Sequence, residues 1–575
     1  METTAYLLEA FRIEGLSHVF LVPGGLIDPF LLPLTATDGI TPIVAAHESG
    51  AAFMADGYAR ASGRFGACFA IGGPGITNMV TAVAAASTDQ SPVLVISGQV
   101  PTDWEGRGGF QDSSPAALND VALFQSLAKS SLIVENPHLV HHHFRASLMT
   151  MLASPQGPAH LSLPLDIQRA DVHLLWDKLD ASVYSTAVID PGALERLWQT
   201  LLPDDRRQAP SRIVVLAGSG VEKSRATSEL LTFAERFEIP VATTLRAKGV
   251  FPEDHRLSLG IFGFAGHRHA IETIVSGEVE VLLVLGSGLS QWDTLFWDRK
   301  MLPRSALIHV DLDPKVIGRT WPTEVPLVGD CGQVLRGLLN AEPHRLAAVA
   351  HTNEERRTWV ERLRASGPRY YDPEHAYSDA VPLHPARVIR ALRRVVPRDT
   401  VLVVDSGAHA VFCAHYWDAY EPRTYLATKL GPMGWAIPAG IGAKLARPDR
   451  PLVVVTGDGC MLMHGMEIHT ASRYQIPVIF LVINNSALGN VWLRASRQGP
   501  GPANLTELPT RDWSGFARSL GLQAATVTAP ADLEPAFQAA LAAGAPYLLD
   551  VRCDRAFSTP VTPYDEAMQE WVDND

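Results

Sequence analysis

Short, unbroken apolar runs recur along the chain. Each is closed by a glycine-rich turn and followed by a stretch of helical periodicity. The run at 452–455 is all Leu and Val, which predicts a strand buried on both faces of a parallel sheet. Gly457-Asp458-Gly459 comes next, then a helical segment predicted over 463–474. Pro477 introduces a second apolar run, 478–483, which ends in Asn484-Asn485. The unit reads strand–helix–strand. It places Asp458 and Asn485 at the carboxyl ends of two parallel strands, the edge where open α/β sheets bind ligands. A carboxylate and an amide oxygen converging there suit a hard cation such as Mg2+, which prefers oxygen donors and often accompanies a diphosphate. Gly457 and Gly459 allow a sharp turn and a close approach to a ligand. Taken alone, the same pattern also fits a plain strand-turn-helix with Asp458 as a cap.

The rhythm repeats in both directions. Between 1 and 168, strands are predicted at 18–22, 41–45, 66–71, 93–98 and 159–163, with helices at 4–14, from Glu48 onward, and at 76–87. Residues 169–190 read as a linker. A second block, 212–339, has strands at 213–217, 281–285 and 306–311, with turns at Gly218-Ser219-Gly220 and Gly286-Ser287-Gly288. A charged connector at 340–382 leads to a third block, 384–555, with a further strand at 401–404. Strands alternating with helices predict an α/β protein of three doubly wound parallel sheets. The expected division is 1–170, 190–342, 375–556 and a polar acidic tail at 557–575.

Composition narrows the class. At 575 residues the chain exceeds one ordinary core. A formal net charge of −13 argues against a nucleic-acid or anionic-membrane partner. The five cysteines are scattered without CxxC spacing, so neither a disulfide framework nor a zinc site is suggested. The first fifteen residues form an amphipathic helical pattern with acidic residues rather than a targeting signal. No apolar run reaches membrane-span length. A cytoplasmic location is the expectation.

Twenty-four residues, 460–483, separate Gly457-Asp458-Gly459 from Asn484-Asn485. The pair resembles the GDG…NN signature of thiamine-diphosphate (ThDP) enzymes. The resemblance implies that Asp458, Asn485 and the backbone carbonyl of Ala487 hold Mg2+, and the ion holds the cofactor diphosphate. It extends to the first block. His47-Glu48 before a helix of small residues, with Gly72–Asn78 after the next strand, is similar to the family's pyrimidine-binding domain. Glu48 would then bond N1′ of the aminopyrimidine and favour the imino tautomer that removes the C2 proton, with Gly73 and Asn78 as cofactor contacts. Asp405-Ser406-Gly407-Ala408-His409 is similar to the segment whose histidine meets the diphosphate. Gly431-Pro432-Met433-Gly434 resembles the segment between the two cofactor rings. There the Gly431 backbone would receive the 4′-amino group, and Met433 would enforce the bent cofactor shape.

The stretch 96–112 resembles the acetolactate-synthase branch, which implies that Phe110 and Gln111 face the active site of a neighbouring subunit. Relatives in that branch attack a 2-oxo acid, release CO2 and capture the resulting enamine. A carbonyl acceptor makes a carboligase, a proton a decarboxylase. The middle domain of these relatives holds FAD. Here Phe264-Ala265-Gly266 replaces their Met-His-Gly, and 288–292 departs from their Arg-Phe-Asp-Asp-Arg run. FAD is left open, and a structural middle domain is the expected reading. Leu165 stands where relatives carry a lysine. By offset from Asn485, Asn490 and Arg494 stand where they carry a methionine and a substrate-selecting tryptophan. Arg494 is either a guanidinium for an anionic substrate or a surface residue. The expected function is a ThDP carboligase whose donor is a 2-oxo acid, pyruvate first, and whose acceptor is a carbonyl compound other than ordinary pyruvate. A non-ligating 2-oxo-acid decarboxylase and an acetolactate synthase proper are the alternatives. A homodimer or homotetramer with active sites between subunits is implied.

Overall fold

The computed structural model describes residues 1–185, 189–202, 209–557 and 559–560. The predicted tail at 557–575 therefore lies outside the described residues beyond Pro560. Three six-stranded sheets are present, and all their strand pairings are parallel. The first takes β1 (His18–Leu21), β2 (Thr41–Val44), β3 (Gly66–Ile71), β4 (Val93–Gln99), β5 (Ser130–Ile133) and β6 (Ala159–Pro164), in the order β2-β1-β3-β4-β6-β5. The second takes β7 (Ile213–Ala217), β8 (Val241–Thr243), β9 (Ser258–Ile261), β10 (Val281–Leu285), β11 (Ala306–Asp311) and β12 (Val325–Val328), in the order β12-β11-β10-β7-β8-β9. The third takes β13 (Val401–Val404), β14 (Tyr425–Ala427), β15 (Leu452–Gly457), β16 (Ile479–Asn484), β17 (Gln523–Val527) and β18 (Tyr547–Arg552), in the order β14-β13-β15-β16-β18-β17. Helices cover both faces, so inner strands such as β13, β15 and β16 are buried throughout. That burial is why they read as unbroken apolar runs.

Strands β5, β8, β9, β12, β14, β17 and β18 were not among the sequence expectations. Several are edge or near-edge strands with mixed burial, such as β17 with two exposed, two half-buried and one buried residue, and so lack an apolar signature. Two helices differ from expectation. The segment predicted at 76–87 is two helices, Pro74–Asn78 and Val80–Thr88. The helix predicted at 463–474 instead starts at Asp458, runs to His464, passes through a 3₁₀ turn at Gly465–Glu467 and resumes at Ile468–Arg473. Among the described residues, no helix is long and apolar enough to cross a membrane.

The first and third sheets share one apolar core, joining Phe20, Phe53 and Met54 to Trp435, Ile437 and Val454. The second sheet has its own core. The joint between first and third is a crossing of the helices Glu48–Ser62 and Ala436–Ala446. A Cβ at Gly57 would run into the Ala439 carbonyl, and one at Gly442 into that of Met54. Only hydrogen at both positions allows this approach. A buried polar seam locks the crossing. The Trp435 indole donates to Asp56 Oδ2 at 2.8 Å, and Arg60 stacks on that indole while pairing with Asp56 at 3.2 Å and Asp89 at 2.6 Å. Substituting Gly442→Ala sets two effects against each other. Helix propensity favours alanine by about 1 kcal/mol, whereas overpacking against an immovable backbone costs about 1–3 kcal/mol. The steric cost wins, because neither carbonyl can rotate away. The variant should melt several degrees below the parent in a thermal scan; an unchanged or higher Tm would show that the crossing is loose.

Candidate active site

Chain order in the third sheet creates a crevice. From β13 the chain steps to β14 on one side, then to β15 on the other. The carboxyl ends of β13 and β15 therefore flank a topological switch point, the place where such sheets bind ligands. A cleft of about 640 Å³ opens there. After β13 it is lined by Ser406, Gly407 and His409; after β15 by Asp458, Gly459 and Cys460; after β16 by Asn485 and Ala487. Met433 completes this inner part.

Asp458 is the first residue of its helix and is buried. Its Oδ1 accepts the Gly459 N–H at 2.9 Å. Burial pushes its carboxyl up to about 6, against the opposing backbone N–H groups of Gly459, Ser486 and Ala487. Those amides join the two motifs in space. The loop that carries Asn485 is fixed from outside. Ser486 adopts φ 55°, the Leu488 N–H donates to Thr506 O at 2.8 Å, and the Leu508 N–H to Ser486 O at 2.8 Å. The asparagines divide the work. Asn484 is structural, donating to Asp550 Oδ1 at 2.8 Å, whereas Asn485 lines the cleft. Gly457 does not have a positive φ; it sits at −102°. Its need is close approach, since a Cβ would meet the His409 ring at 3.2 Å, and one at Gly459 would meet Leu488 at 2.7 Å.

His409 is buried, and burial pushes its imidazole down to about 4, so it is neutral near pH 7. Its Nε2 has no partner among the described residues, although buried polar atoms are normally satisfied. An unpaired ring nitrogen in the lining of a cleft is suited to a ligand oxygen. Two residues given no role of their own in the sequence hold this part together. Asp405 accepts from the N–H groups of Ser406 and Gly434, each at 2.9 Å, and from Thr456 Oγ1 at 2.9 Å. It ties the ends of β13 and β15 to the Met433 turn. Glu467 accepts the N–H groups of Ala46 at 3.2 Å and His47 at 3.0 Å. It thereby sets the start of the Glu48 helix from another sheet. Buried Asp within an Asp-Ser-Gly turn was a visible signal for the first. Nothing local marks the second.

The other predicted residues gather at the carboxyl edge of the first sheet. Glu48 opens its helix, and its Oε2 accepts from Asn78 Nδ2 at 2.9 Å. Gly73 faces Gln111, whose Cα lies 3.5 Å from a Cβ built on Gly73. Phe110 beside it is 85% exposed. None of Glu48, Gly73, Asn78, Phe110, Gln111 or Gly431 lines the cleft of the same chain. Asn490 does, together with Val491 and Leu493 of the helix Gly489–Gln498. Arg494 is exposed and is not part of the lining. The arginine in the lining is instead Arg555, just beyond β18.

The second sheet has the strand order of dinucleotide-binding folds. Its two glycine turns follow β7 and β10, on either side of the switch point. They press together, with Gly220 N–H donating to Gly286 O at 2.9 Å. Phe264 and Trp292, which stand in the segments that depart from flavin-binding relatives, stack on each other at 4.4 Å and 16°.

Comparison with known proteins agrees with this geometry. Residues 1–118 match the thiamine pyrophosphate enzyme N-terminal TPP binding domain, 208–338 the central domain, and 405–551 the C-terminal TPP binding domain. The chain is 34% identical to the "Probable acetolactate synthase large subunit" of Methanocaldococcus jannaschii, over 98% of this chain and 94% of that one. It is 33% identical to the acetolactate synthase large subunit of Corynebacterium glutamicum, over 91% and 82%. With the large subunit of Escherichia coli acetolactate synthase isozyme 3 it shares 31%, over 83% and 81%. The chain belongs to the thiamine pyrophosphate enzyme family, in its acetolactate-synthase-like branch. It is a ThDP-dependent enzyme with carboligase or decarboxylase chemistry.

Proposed function

We propose that this enzyme decarboxylates a 2-oxo acid, pyruvate in the first instance, and joins the remaining two-carbon unit to a carbonyl acceptor. The observation that carries this reading is the switch-point cleft of the third sheet, where Asp458 and Asn485 meet the unpaired Nε2 of His409. The residues fit the cofactor. His409 Nε2 and the amides around the cleft suit a diphosphate. One buried carboxylate, the Asn485 amide oxygen and the Ala487 carbonyl form a set of oxygen donors of the kind Mg2+ takes, the diphosphate supplying more. The described residues contain no cluster of three or more His, Cys, Asp or Glu that could hold a metal, so the cofactor's own oxygens are needed to complete the ion's shell. Bound ThDP supplies the carbon nucleophile and takes up the electron pair released with CO2.

The protein's part is positioning and proton control. Met433, in the cleft lining beside Gly459, would enforce the bent shape of the bound cofactor. The Glu48 carboxyl, oriented by Asn78 through Oε2, would exchange a proton with the pyrimidine ring. Glu48 is absent from the lining of its own chain's cleft, so we place it in the site of a second subunit. The working unit is a homodimer or a homotetramer of paired chains. Phe110 and Gln111 come with it, and the exposure of Phe110 in the single chain fits burial against a partner.

For the middle domain we propose a structural role without flavin. Its strand order suits a dinucleotide, but the stacked Phe264 and Trp292 satisfy each other at the segments where relatives meet the ring system. Purified enzyme should show no visible flavin absorbance and release none on denaturation; stoichiometric flavin would contradict this.

Incubation with ThDP, Mg2+, pyruvate and a panel of aldehydes and 2-oxo acids, read by mass spectrometry, tests the reaction. A ketol is expected. Acetaldehyde and CO2 alone would replace the carboligase with a decarboxylase. Glu48→Gln should reduce turnover by about a hundredfold or more, as loss of a proton-transferring group does, while leaving ThDP binding intact; an unchanged rate would remove Glu48 from the chemistry.

A further inference from the structure

We infer that Arg555 determines the acceptor: its guanidinium receives the carboxylate of an anionic carbonyl compound. The inference rests on the carboligase reading above. Arg555 is the only lysine or arginine in the lining of the cleft among the described residues. It enters from the segment after β18, on the side formed by Asn490, Val491, Leu493, Asp554 and Phe557. Because β18 pairs with β16, that side adjoins the Asn485 loop. A bidentate, charge-assisted pair with a guanidinium is stronger than a neutral hydrogen bond.

The guanidinium is held but not consumed. It lies over the Trp492 ring at 5.2 Å and pairs with Glu507 at 3.1 Å. Trp492 Nε1 donates to the same carboxylate at 3.4 Å. The aromatic face fixes the plane of the fork. Arg555 and Glu507 are each about a third exposed, and pairs of that kind are weak. A substrate carboxylate can therefore displace Glu507 while Trp492 keeps the guanidinium in place.

The chemistry selects the acceptor rather than the donor. The donor carboxylate leaves as CO2, and a guanidinium fixed on it would stabilise the charge that has to disappear. The acceptor carboxylate survives unchanged into the product. An ion pair to it binds ground state and transition state alike, which lowers KM without changing kcat.

The test uses pyruvate as donor and two acceptors of matched shape, 2-oxobutyrate and propanal, which differ by the carboxylate. In Arg555→Gln, the kcat/KM ratio of 2-oxobutyrate over propanal should fall about tenfold or more through KM. Arg555→Lys should lie between, because it keeps the charge and loses the fork. In Glu507→Gln, which removes the competing carboxylate, the ratio should hold or rise. A ratio that stays constant in Arg555→Gln would overturn the inference. So would parallel losses in the Arg555 and Glu507 variants, which would make the pair a structural clip. A rise in the ThDP concentration for half-activity, with the ratio unmoved, would assign Arg555 to the cofactor diphosphate instead. Absence of ketol from the parent enzyme with either acceptor would refute the carboligase reading itself.

Discussion

The close crossing of the helices Glu48–Ser62 and Ala436–Ala446 is the contact on which the rest depends. It holds two backbones together at Gly57 and Gly442, under a buried seam of Asp56, Arg60 and Trp435. The first helix begins at Glu48. The second follows directly on the Met433–Gly434 turn. Rigid contact between them fixes Glu48 of the first sheet relative to the Met433–Gly434 turn of the third. Glu467 reinforces the joint from below by accepting the amides of Ala46 and His47. Because Glu48 serves a partner's cleft in the proposed assembly, this crossing also links two active sites through packed structure rather than through a loop.

The cleft follows from topology as much as from residues. The reversal of strand order around β13 opens the crevice, and Asp405 closes its floor by binding both flanking strands and the Met433 turn. Into that frame the chain brings Asp458, Asn485 and the neutral imidazole of His409 as lining of one cleft. The protein supplies few charges of its own there, which suits a site that takes in a diphosphate with its cation. Arg555 is the one lysine or arginine of the lining among the described residues.

Much of this was legible in the sequence, and the reasons for what was not are physical. Buried parallel strands announce themselves because both faces are apolar, so β7, β10, β13, β15 and β16 were visible. β17 and β18 were not recognised: β17 is mixed in burial, and β18 carries Asp550 and Arg552 within its run. Asp458 and Asn485 stood out through the resemblance of their spaced motifs to a known signature, and Glu48 through the resemblance of the helix it opens. Asp405 was seen as part of a motif, but not as the tie between three segments, because its partners lie 29 and 51 residues away. The helix after Asp458 was placed too late, since the turn it was thought to follow is its own first turn. Arg494 was chosen by counting along a helix. It lies four residues, about 6 Å, beyond Asn490 along the axis, and clears the rim. Arg555 was invisible for the opposite reason: it is 70 residues from Asn485 and reaches the cleft only because β18 lies beside β16.

The central claim is that Glu48 and the Asp458 cleft act together across two chains. Co-expression of differently tagged Glu48→Gln and Asp458→Asn chains, with purification of the mixed oligomer, tests it directly. Each variant alone should be inactive. In a mixed dimer one site would combine the intact Glu48 of one chain with the intact Asp458 of the other, and about half the parental activity should return. A mixed oligomer as inactive as its parents would contradict the account and return both residues to a single chain's site.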